Sequence, residues 1–477
     1  MLTYSFTNIG SDSMYEYLYK CIRNDITQGK IKAGEKLPSK RTFAKNLGIS
    51  VITVESAYGQ LLAEGYIYSM PKRGFYVSDL SSATIEKKKV RKEQLTLTGG
   101  ATSYFADFSS NQTDSEIFPF TIWSKTVREV LNDNQKQLMI NPPCGGILEL
   151  RQAIARYLKE FRAMQVEPEQ IIIGAGTEYL HGLLIQLLGN HRIYGVENPG
   201  YHKIAGIYEN MKVEYAKISL DGDGVSIREL EEKRVDVIHT SPSHHFPTGI
   251  VMPVSRRYEL LGWAAKSPDH YIIEDDYDSE LRLTGKPFPT LQSIDVSERV
   301  IYMNTFTKTL ASTVRISYMV LPPTLTEIFY QKLSFYSCTV SNFEQYTLAK
   351  FMENGSFEKH INRLRNYYQA KRDAILEVFQ KEPLGKYVTI REEGAGVHFL
   401  MQIHTEKSEE EIVTEAKGKG IKLAPLSHYF DGEEGKKFEN TYVINYSSVD
   451  LTNIEKAAQI LGKILIKQKC SVKEDNR

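Results

Sequence analysis

Two short apolar runs, each followed by polar residues, constrain the fold of this chain most strongly. The runs are Tyr271–Ile273 and Val300–Met303, and both have the β-branched and aromatic composition of buried parallel strands. Acidic residues follow the first run, and a threonine-rich loop with one lysine follows the second. Open α/β sheets bind ligands at the carboxyl ends of their strands. We therefore expect Asp275, Tyr277 and Lys308 to converge on one crevice.

A carboxylate, a phenol and an amine in one crevice suit the binding of pyridoxal phosphate. The amine of Lys308 would form a Schiff base, the internal aldimine, with the aldehyde of this cofactor. The Asp275 carboxylate would hold the pyridine nitrogen protonated, and the Tyr277 hydroxyl would donate to the ring oxygen. The competing interpretation is that Lys308 is a solvated surface residue, which is the usual place for a lysine.

A loop of small residues is a candidate for holding the cofactor phosphate. The strand candidate Ile171–Ile173 leads into Gly174-Ala175-Gly176-Thr177 and then into a predicted helix, Glu178–Leu188. A loop of this kind presents backbone N–H groups and the positive end of the helix dipole to an anion. The same pattern also serves ordinary connections from strand to helix, so the loop alone leaves both interpretations open.

Residues 11–80 have the pattern of a winged helix-turn-helix. Apolar residues of Met14–Thr27 fall on one helical face, and Ser39 and Ser50 are each predicted to cap a further helix, the second being Val51–Ala63. A hairpin with a basic tip follows. In such a domain the second helix of the motif enters the major groove and the wing reaches the backbone or the minor groove. The alternative is a small helical domain used for protein contacts.

The rest of the chain predicts a linker and two further domains. Residues 81–105 contain serines, a KKKVRK cluster and a glycine pair, which is typical of a mobile tether. We assign 106–335 to a large α/β domain and 336–470 to a small domain. Three domains agree with the usual number for this length.

Charge, hydropathy and cysteine content argue against a strongly basic protein, a membrane-spanning protein and a secreted protein with a disulfide framework. The 59 Lys+Arg residues balance 59 Asp+Glu residues, so any affinity for DNA must come from a local patch. No apolar run approaches the length of a membrane span, and the chain does not open with a signal peptide. The four scattered cysteines predict reduced thiols and a cytoplasmic location.

Two segments near the predicted sheet edge, EDDYDSE and TFTKTLASTVRISYMVLP, resemble a known family almost residue for residue. They are similar to the pyridoxal segment of MocR/GabR-type regulators. In these regulators a GntR-type DNA-binding head precedes a domain that resembles fold-type I aminotransferases. LPSKR, LGIS, EGY and the glycine-bearing wing resemble GntR-type heads. The resemblance covers almost the whole chain and implies a winged helix-turn-helix followed by large and small aminotransferase-like domains.

The resemblance also implies roles for individual residues. Those it assigns to pyridoxal 5′-phosphate are Lys308, Asp275, Tyr277, Tyr201, Ala175, Gly176, Thr177, Thr305, Thr307 and Arg315. Those assigned to DNA are Arg41, Ser50, Thr53, Arg73 and Gly74. Lys203 and Arg315 are the residues predicted to bind an effector. The resemblance further implies a homodimer, because fold-type I sites are assembled at dimer interfaces.

In the head, Val51 stands where many relatives have arginine, and Glu55 faces the DNA phosphates. Three positions of the aminotransferase-like part also depart from the pattern of the family. Phe246 stands where aminotransferases have an asparagine that contacts the ring oxygen, and His244 or His245 is predicted to substitute, with His245 assigned to the cofactor. Val443 and Lys203 stand where relatives have arginines that grip a carboxylate. A lysine lacks the two-pronged geometry of arginine. We therefore expect the effector to be an amine, an amino-acid-like molecule held by Lys203, or the cofactor itself.

The function predicted from these features is transcriptional regulation through promoter DNA, with an effector or cofactor occupancy as the signal. We expect no enzyme activity beyond a residual half-transamination. One alternative is an active aminotransferase with an accessory DNA-binding head. Another is a dimerisation scaffold with an inactive cofactor site. The winged-helix pattern favours regulation over both.

Overall fold

A computed structural model of the chain describes residues 3–6, 9, 12–80, 104–283, 288–394 and 396–466. The chain divides into two compact units, Met1–Gly100 and Ala101–Arg477, which are called the head and the body below. All but the last two residues of the predicted linker, 81–105, lie outside the described residues. The boundaries predicted for the head, the linker and the two domains of the body stay predictions.

The head has the predicted arrangement of helices and a hairpin. Its elements are α1 (Met14–Thr27), α2 (Lys40–Leu47), α3 (Val51–Ala63), β1 (Ile67–Met70) and β2 (Gly74–Val77). The Ser39 hydroxyl accepts from the Thr42 N–H at 3.2 Å and caps α2, while the Ser50 hydroxyl accepts from the Thr53 N–H at 3.0 Å and caps α3. Because β1 and β2 pair as an antiparallel hairpin, the predicted winged helix-turn-helix is confirmed.

One apolar cluster holds the head together. It joins Leu18 and Ile22 of α1, Phe43 of α2 and Tyr58 of α3 to residues of the hairpin, and these side chains are fully buried. Burial of side chains of this size contributes about 1.5–3 kcal/mol each to folding. The amphipathic pattern read for α1 therefore faces the core of the head.

The body is built around a mixed sheet that lies between helices. In chain order its strands and those of its smaller sheets are β3 (Ala106–Asp107), β4 (Ile171–Gly174), β5 (Tyr194–Asn198), β6 (Tyr215–Asp221), β7 (Gly224–Val225), β8 (Val237–Thr240), β9 (Tyr271–Asp275), β10 (Val300–Thr305), β11 (Ser317–Val320), β12 (Val388–Arg391), β13 (His398–Ile403), β14 (Ile421–Lys422) and β15 (Thr441–Asn445). Among the described residues the main sheet has the order β4-β11-β10-β9-β8-β5-β6-β7. The two runs predicted as parallel strands, β9 and β10, pair in parallel.

Both faces of the main sheet are buried, which explains its continuous apolar strands. In β4, Ile171 and Ile173 join one apolar cluster and Ile172 joins another. In β10, Tyr302 joins the first cluster, while Ile301 joins the second. Successive side chains of a strand point to opposite faces, so a strand covered on both faces must be apolar throughout.

The helices of the body cover these faces and pack against the smaller sheets. They are α4 (Phe120–Asp133), α5 (Gln135–Leu138), α6 (Leu148–Arg162), α7 (Thr177–Leu188), α8 (His202–Asn210), α9 (Ile227–Glu232), α10 (Val254–Ala265), α11 (Leu291–Ile294), α12 (Pro323–Leu333), α13 (Asn342–Glu353), α14 (Ser356–Gln380), α15 (Glu409–Gly418) and α16 (Ile454–Leu465). The inward face predicted for α14 is buried as expected. In the described ranges, no helix has both the length and the apolar character that a bilayer crossing requires.

The start of the body pairs with its C-terminal part. β12, β13 and β15 form an antiparallel sheet, and β3 pairs in parallel with β14. Just after β3, the Phe108 carbonyl accepts from the N–H of Asn445 at 2.9 Å. These contacts bring the loop that follows β3 to the carboxyl edge of the main sheet.

Candidate functional site

A cavity of about 530 Å³ lies at the carboxyl ends of the central parallel strands. Asp275 is the last residue of β9, Thr305 is the last residue of β10, and Ser241 directly follows β8. This is the edge at which open α/β sheets bind ligands. The position of the cavity therefore follows from the strand order rather than from any one motif.

Most of the residues predicted for the cofactor and the effector line this cavity. They are Lys308, Asp275, Tyr277, Tyr201, Gly176, Thr177, Thr305, Thr307, Arg315 and Lys203. Ala175 and His245 are not part of the lining. The Ala175 N–H donates to the Thr339 hydroxyl at 2.9 Å, so this group already has a partner within the protein.

Lys308 is a buried amine whose pKa is lowered. Its side chain is 6% exposed, and its Nζ donates to the carbonyl oxygen of Asn111 at 3.1 Å and to the Asn111 amide oxygen. Burial lowers the pKa of Lys308 to about 8, and the Asp278 carboxylate opposes this shift. With a pKa of about 8, roughly a tenth of the amine is neutral at pH 7 and can act as a nucleophile.

Asn111 is a site residue that the sequence did not reveal. Its amide oxygen also accepts from the Asn445 side chain at 3.0 Å, so Asn111 connects Lys308 to β15. It lies in the loop after β3, which carries no recognisable motif. The pairing of β3 with β14 is what brings it to the lysine, and such pairing is not visible in local sequence.

Asp275 presents an oxygen that is free to accept a hydrogen bond. Its Oδ2 lies 3.3 Å from Nε2 of His239, a residue of β8 that sequence reasoning missed. Its Oδ1 is buried and, among the described residues, has no hydrogen-bond partner. A buried carboxylate oxygen of this kind normally has a donor. The protonated nitrogen of a pyridine ring would be a suitable one.

Tyr277 is held in its protonated form beside a histidine. Burial and the Asp278 and Asp275 carboxylates raise the pKa of Tyr277 well above its ordinary value. Its hydroxyl lies 3.3 Å from Nδ1 of His244, and that nitrogen lies 2.8 Å from Oδ2 of Asp278. Tyr277 is therefore available as a neutral hydrogen-bond donor at the cavity wall.

His245, in contrast, does not line the cavity. Its Nδ1 lies 2.7 Å from the Thr248 hydroxyl and its Nε2 lies 3.4 Å from Oε2 of Glu197. Burial lowers the pKa of His245 to about 3, so its ring is neutral. The contact predicted between His245 and the cofactor ring has no support from this position. His398, which no motif indicated, lines the cavity instead.

The predicted phosphate loop lies at the N-terminus of α7. Gly176 has a φ of +98°, a backbone conformation that favours glycine, and a Cβ atom at this position would meet the guanidinium of Arg315. The hydroxyls of Thr305 and Thr307 lie 2.7 Å apart on the neighbouring loop. Backbone N–H groups, hydroxyls and a guanidinium are the donors that a phosphate requires.

Two charged side chains of this region are already paired with Glu178. Nη2 of Arg315 lies 2.7 Å from Glu178 Oε2, and Nζ of Lys203 lies 3.1 Å from Glu178 Oε1. Burial opposes ionisation here, but the Glu178 backbone N–H, Arg315 and Lys203 together lower the pKa of Glu178 to about 2. Both residues predicted to bind an effector thus contact the same carboxylate.

The surroundings of Val443, which stands where relatives have a carboxylate-binding arginine, are apolar. Val443 is 2% exposed and belongs to a small buried cluster with Leu400, Ala424 and Leu426. Phe246 packs against the same cluster, and its ring meets that of Tyr201 edge to face at a centroid distance of 6.0 Å. Phe246 and Tyr201 line the cavity, whereas Val443 is buried in the apolar cluster and supplies no cation to it.

The predicted DNA-contacting residues lie on both helices of the helix-turn-helix and on the wing, with Arg41 on α2, Ser50 and Thr53 at the start of α3, and Arg73 and Gly74 on the wing. Arg41 and Arg73 are exposed, Gly74 is half-buried, and the Ser50 and Thr53 hydroxyls lie 2.8 Å apart at the start of α3. The Glu55 carboxylate, which would repel phosphates, is 2.6 Å from Nζ of Lys40. Two apolar residues at the start of α3, Val51 and Ile52, are exposed by 41% and 74%.

Comparisons with known proteins agree with this combination of a head and a body. The family model for aminotransferase class I and II matches residues 105–419, and the model for bacterial regulatory proteins of the gntR family matches residues 14–77. Among solved structures, the multiple substrate aminotransferase from Thermococcus profundus superposes with a TM-score of 0.66 at 27% identity. That similarity covers 76% of this chain and 92% of the aminotransferase.

Two curated relatives match the head and the body together. The HTH-type transcriptional regulator YdeL of Bacillus subtilis is 39% identical over 414 residues, which cover 87% of this chain and 89% of YdeL. The probable rhizopine catabolism regulatory protein MocR of Rhizobium meliloti is 31% identical over 431 residues and 87% of each chain. Matches to regulators over both units support the predicted regulator rather than the alternative of a metabolic aminotransferase. The chain therefore belongs to the MocR-type transcriptional regulators, in which a GntR-family DNA-binding head precedes a fold-type I aminotransferase-like domain.

Proposed function

We propose that this regulator binds pyridoxal 5′-phosphate in the body and promoter DNA through the head, and that cofactor occupancy or a small amine-bearing effector sets its affinity for DNA. The observation that carries the proposal is that two complementary groups line one cavity. The buried amine of Lys308 and an Asp275 oxygen that lacks a hydrogen-bond partner in the described chain both line it. The first would bind an aldehyde and the second a protonated ring nitrogen.

The residues around the cavity fit the remaining groups of this cofactor. Gly176, Thr177, Thr305, Thr307 and Arg315 would hold the phosphate, which needs several donors in a small space. The neutral Tyr277 hydroxyl would donate to the ring oxygen, and the exposed ring of Tyr201 would cover one face of the pyridine. When bound, the cofactor supplies an aldehyde that condenses with primary amines.

The chemistry of the cavity favours an effector without a tightly gripped carboxylate. Val443 is buried and offers no cation where relatives have an arginine, and Lys203 is already paired with Glu178. A primary amine could be recognised by the cofactor itself, and Lys203 would contribute only a point charge to an amino-acid-like molecule. We include a homodimer in the proposal, because two heads on repeated half-sites would raise the affinity for DNA through effective concentration.

For the DNA side, we propose that Arg41, Ser50 and Thr53 contact the operator, with Arg73 and Gly74 of the wing in support. The exposure of the two arginines supports this assignment. The pairing of Glu55 with Lys40 supports it as well, because the pair removes an uncompensated negative charge from this face.

Attachment of the cofactor to Lys308 is the direct test of the body. Full-length protein is titrated with pyridoxal phosphate, its visible absorbance is recorded, and a borohydride-reduced sample is analysed by peptide mass spectrometry. We expect the added mass on the peptide that contains Lys308, and its loss in Lys308→Ala. Asp275→Asn should weaken binding about tenfold or more, because the ring nitrogen loses a charged partner.

Lys422→Ala is the matched control, because Lys422 lines the same cavity and lies next to Asp107 rather than the strand ends. It should retain the modified Lys308 peptide. An unchanged absorbance band in Lys308→Ala, or modification of Lys422 in its place, would contradict the proposal.

A further inference from the structure

Glu178 is a negative charge placed inside the region that the phosphate would occupy. It lies in the first turn of α7, directly after Thr177 of the phosphate loop. Both of its carboxylate oxygens form ion pairs, Oε2 with Arg315 at 2.7 Å and Oε1 with Lys203 at 3.1 Å. The Glu178 side chain is 36% exposed, so the pairs are partly screened but not fully solvated.

The pair between Glu178 and Arg315 lies directly over the glycine of the loop. A Cβ atom built on Gly176 would meet the guanidinium of Arg315 and would lie 2.8 Å from Oε2 of Glu178. The space above Gly176 is where the backbone N–H groups of the helix N-terminus attract an anion. In this structure a carboxylate of the protein occupies that place.

The charge of Glu178 persists at every ordinary pH. Its pKa is lowered to about 2, because the backbone N–H and the two cations outweigh the effect of burial. A dianionic phosphate that enters this region needs the same guanidinium, and like charges at close range repel each other. A bound phosphate and the observed pair between Glu178 and Arg315 are therefore alternatives that compete for one donor.

We propose that Glu178 is a resident anion that competes with the cofactor phosphate for Arg315 and so keeps the binding of pyridoxal phosphate weak and reversible. Lys203 provides a partner for the displaced carboxylate, since it lies on the opposite oxygen. The inference rests on the proposed function. In this inference, Glu178 sets the concentration of pyridoxal phosphate at which the regulator responds.

The test compares two aldehydes that differ only in the phosphate. Full-length native protein and Glu178→Gln, which removes the charge at constant shape, are titrated with pyridoxal phosphate and with pyridoxal. We expect Glu178→Gln to bind pyridoxal phosphate about tenfold more tightly and to bind pyridoxal within about twofold of the native protein. Glu178→Ala should shift the affinities in the same direction. Glu327→Gln, on the exposed face of α12, changes the net charge equally and should change neither affinity.

A second arm removes the covalent chemistry and uses inorganic phosphate. In a Lys308→Ala background, calorimetry should show that Glu178→Gln strengthens phosphate binding, also by about tenfold. If neither aldehyde attaches to native Lys308, the proposed function fails, while this arm still decides the role of Glu178. Equal gains for both aldehydes, unchanged or weaker binding of pyridoxal phosphate, or no change in phosphate binding would each overturn the inference.

Discussion

At the scale of single residues, the protonation of Lys308 depends on burial, on the Asp278 carboxylate that opposes it, and on the hydrogen bonds from its amine to Asn111. Burial favours the neutral amine, whereas hydrogen bonds to acceptors favour the ammonium ion. Nζ of Lys308 donates to both oxygens of Asn111, and its pKa is lowered to about 8. Cofactor attachment requires the neutral amine, so its rate in the native protein should rise with pH and level off above about 8.

Asn111→Ala tests this balance. Removal of the amide oxygen takes away one acceptor for the ammonium ion, so the pKa of Lys308 should fall further. The midpoint of the rate-versus-pH profile should then move down by about one unit, and attachment at pH 6–7 should become faster. The measurement is the second-order rate of attachment of pyridoxal phosphate across this pH range.

Gln112→Ala is the matched control for this experiment, because Gln112 is the next residue and lines the same cavity. Its profile should coincide with that of the native protein. A midpoint in Asn111→Ala that stays in place or moves up would show that the two oxygens do not stabilise the ammonium ion.

Sequence reasoning identified site residues where a motif and a strand end coincide. Asp275, Tyr277 and Lys308 follow two recognisable strands, so the edge of the sheet brings them together. Asn111 and His398 reach the cavity through the loop after β3 and through the small antiparallel sheet, and tertiary pairing decides both positions. Adjacent residues of a loop point in different directions, so Phe246 lines the cavity and its neighbour His245 does not.

At the scale of elements, the two helices of the DNA-binding motif begin with equivalent caps. Ser39 accepts from the Thr42 N–H, and Ser50 accepts from the Thr53 N–H. Both were predicted, because serine before a helix has a local physical reason that does not depend on the rest of the fold. Only Ser50 is also proposed to contact DNA, so the two caps allow stability to be separated from recognition.

We expect Ser39→Ala and Ser50→Ala each to cost about 1 kcal/mol of local stability. Hydrogen exchange of the full-length protein should show faster exchange in α2 for the first variant and in α3 for the second. Affinity for selected DNA should fall in Ser50→Ala by more than in Ser39→Ala, because only the former removes a proposed contact. Equal losses of DNA affinity would mean that Ser50 acts through the helix cap alone.

At the scale of the whole molecule, the balance of charge limits how DNA can be bound. The chain has 59 basic and 59 acidic residues, so its long-range field does not attract a polyanion. Affinity must arise from the exposed basic residues of the head. Under the proposed function, the body changes DNA binding through a difference in free energy between two states and not by supplying net positive charge.

Such control is necessarily reciprocal, and this can be measured without knowledge of the natural operator. If pyridoxal phosphate changes the affinity for DNA by some factor, saturating DNA must change the affinity for the cofactor by the same factor. We expect a factor of about 5–150, the usual range for coupled sites. The probe is duplex DNA selected by the full-length protein from a random library.

Two variants separate coupling from simple loss of either site. Arg41→Ala should weaken DNA binding and leave the affinity for pyridoxal phosphate without DNA unchanged. Lys308→Ala should bind DNA with an affinity that no longer responds to added pyridoxal phosphate. Because the free energies form a closed cycle, equal factors in both directions are required if head and body are coupled through the cofactor site. If pyridoxal phosphate does not change the affinity of the native protein for DNA, the cofactor has no influence on the head. A free amine or amino acid would then have to be the signal.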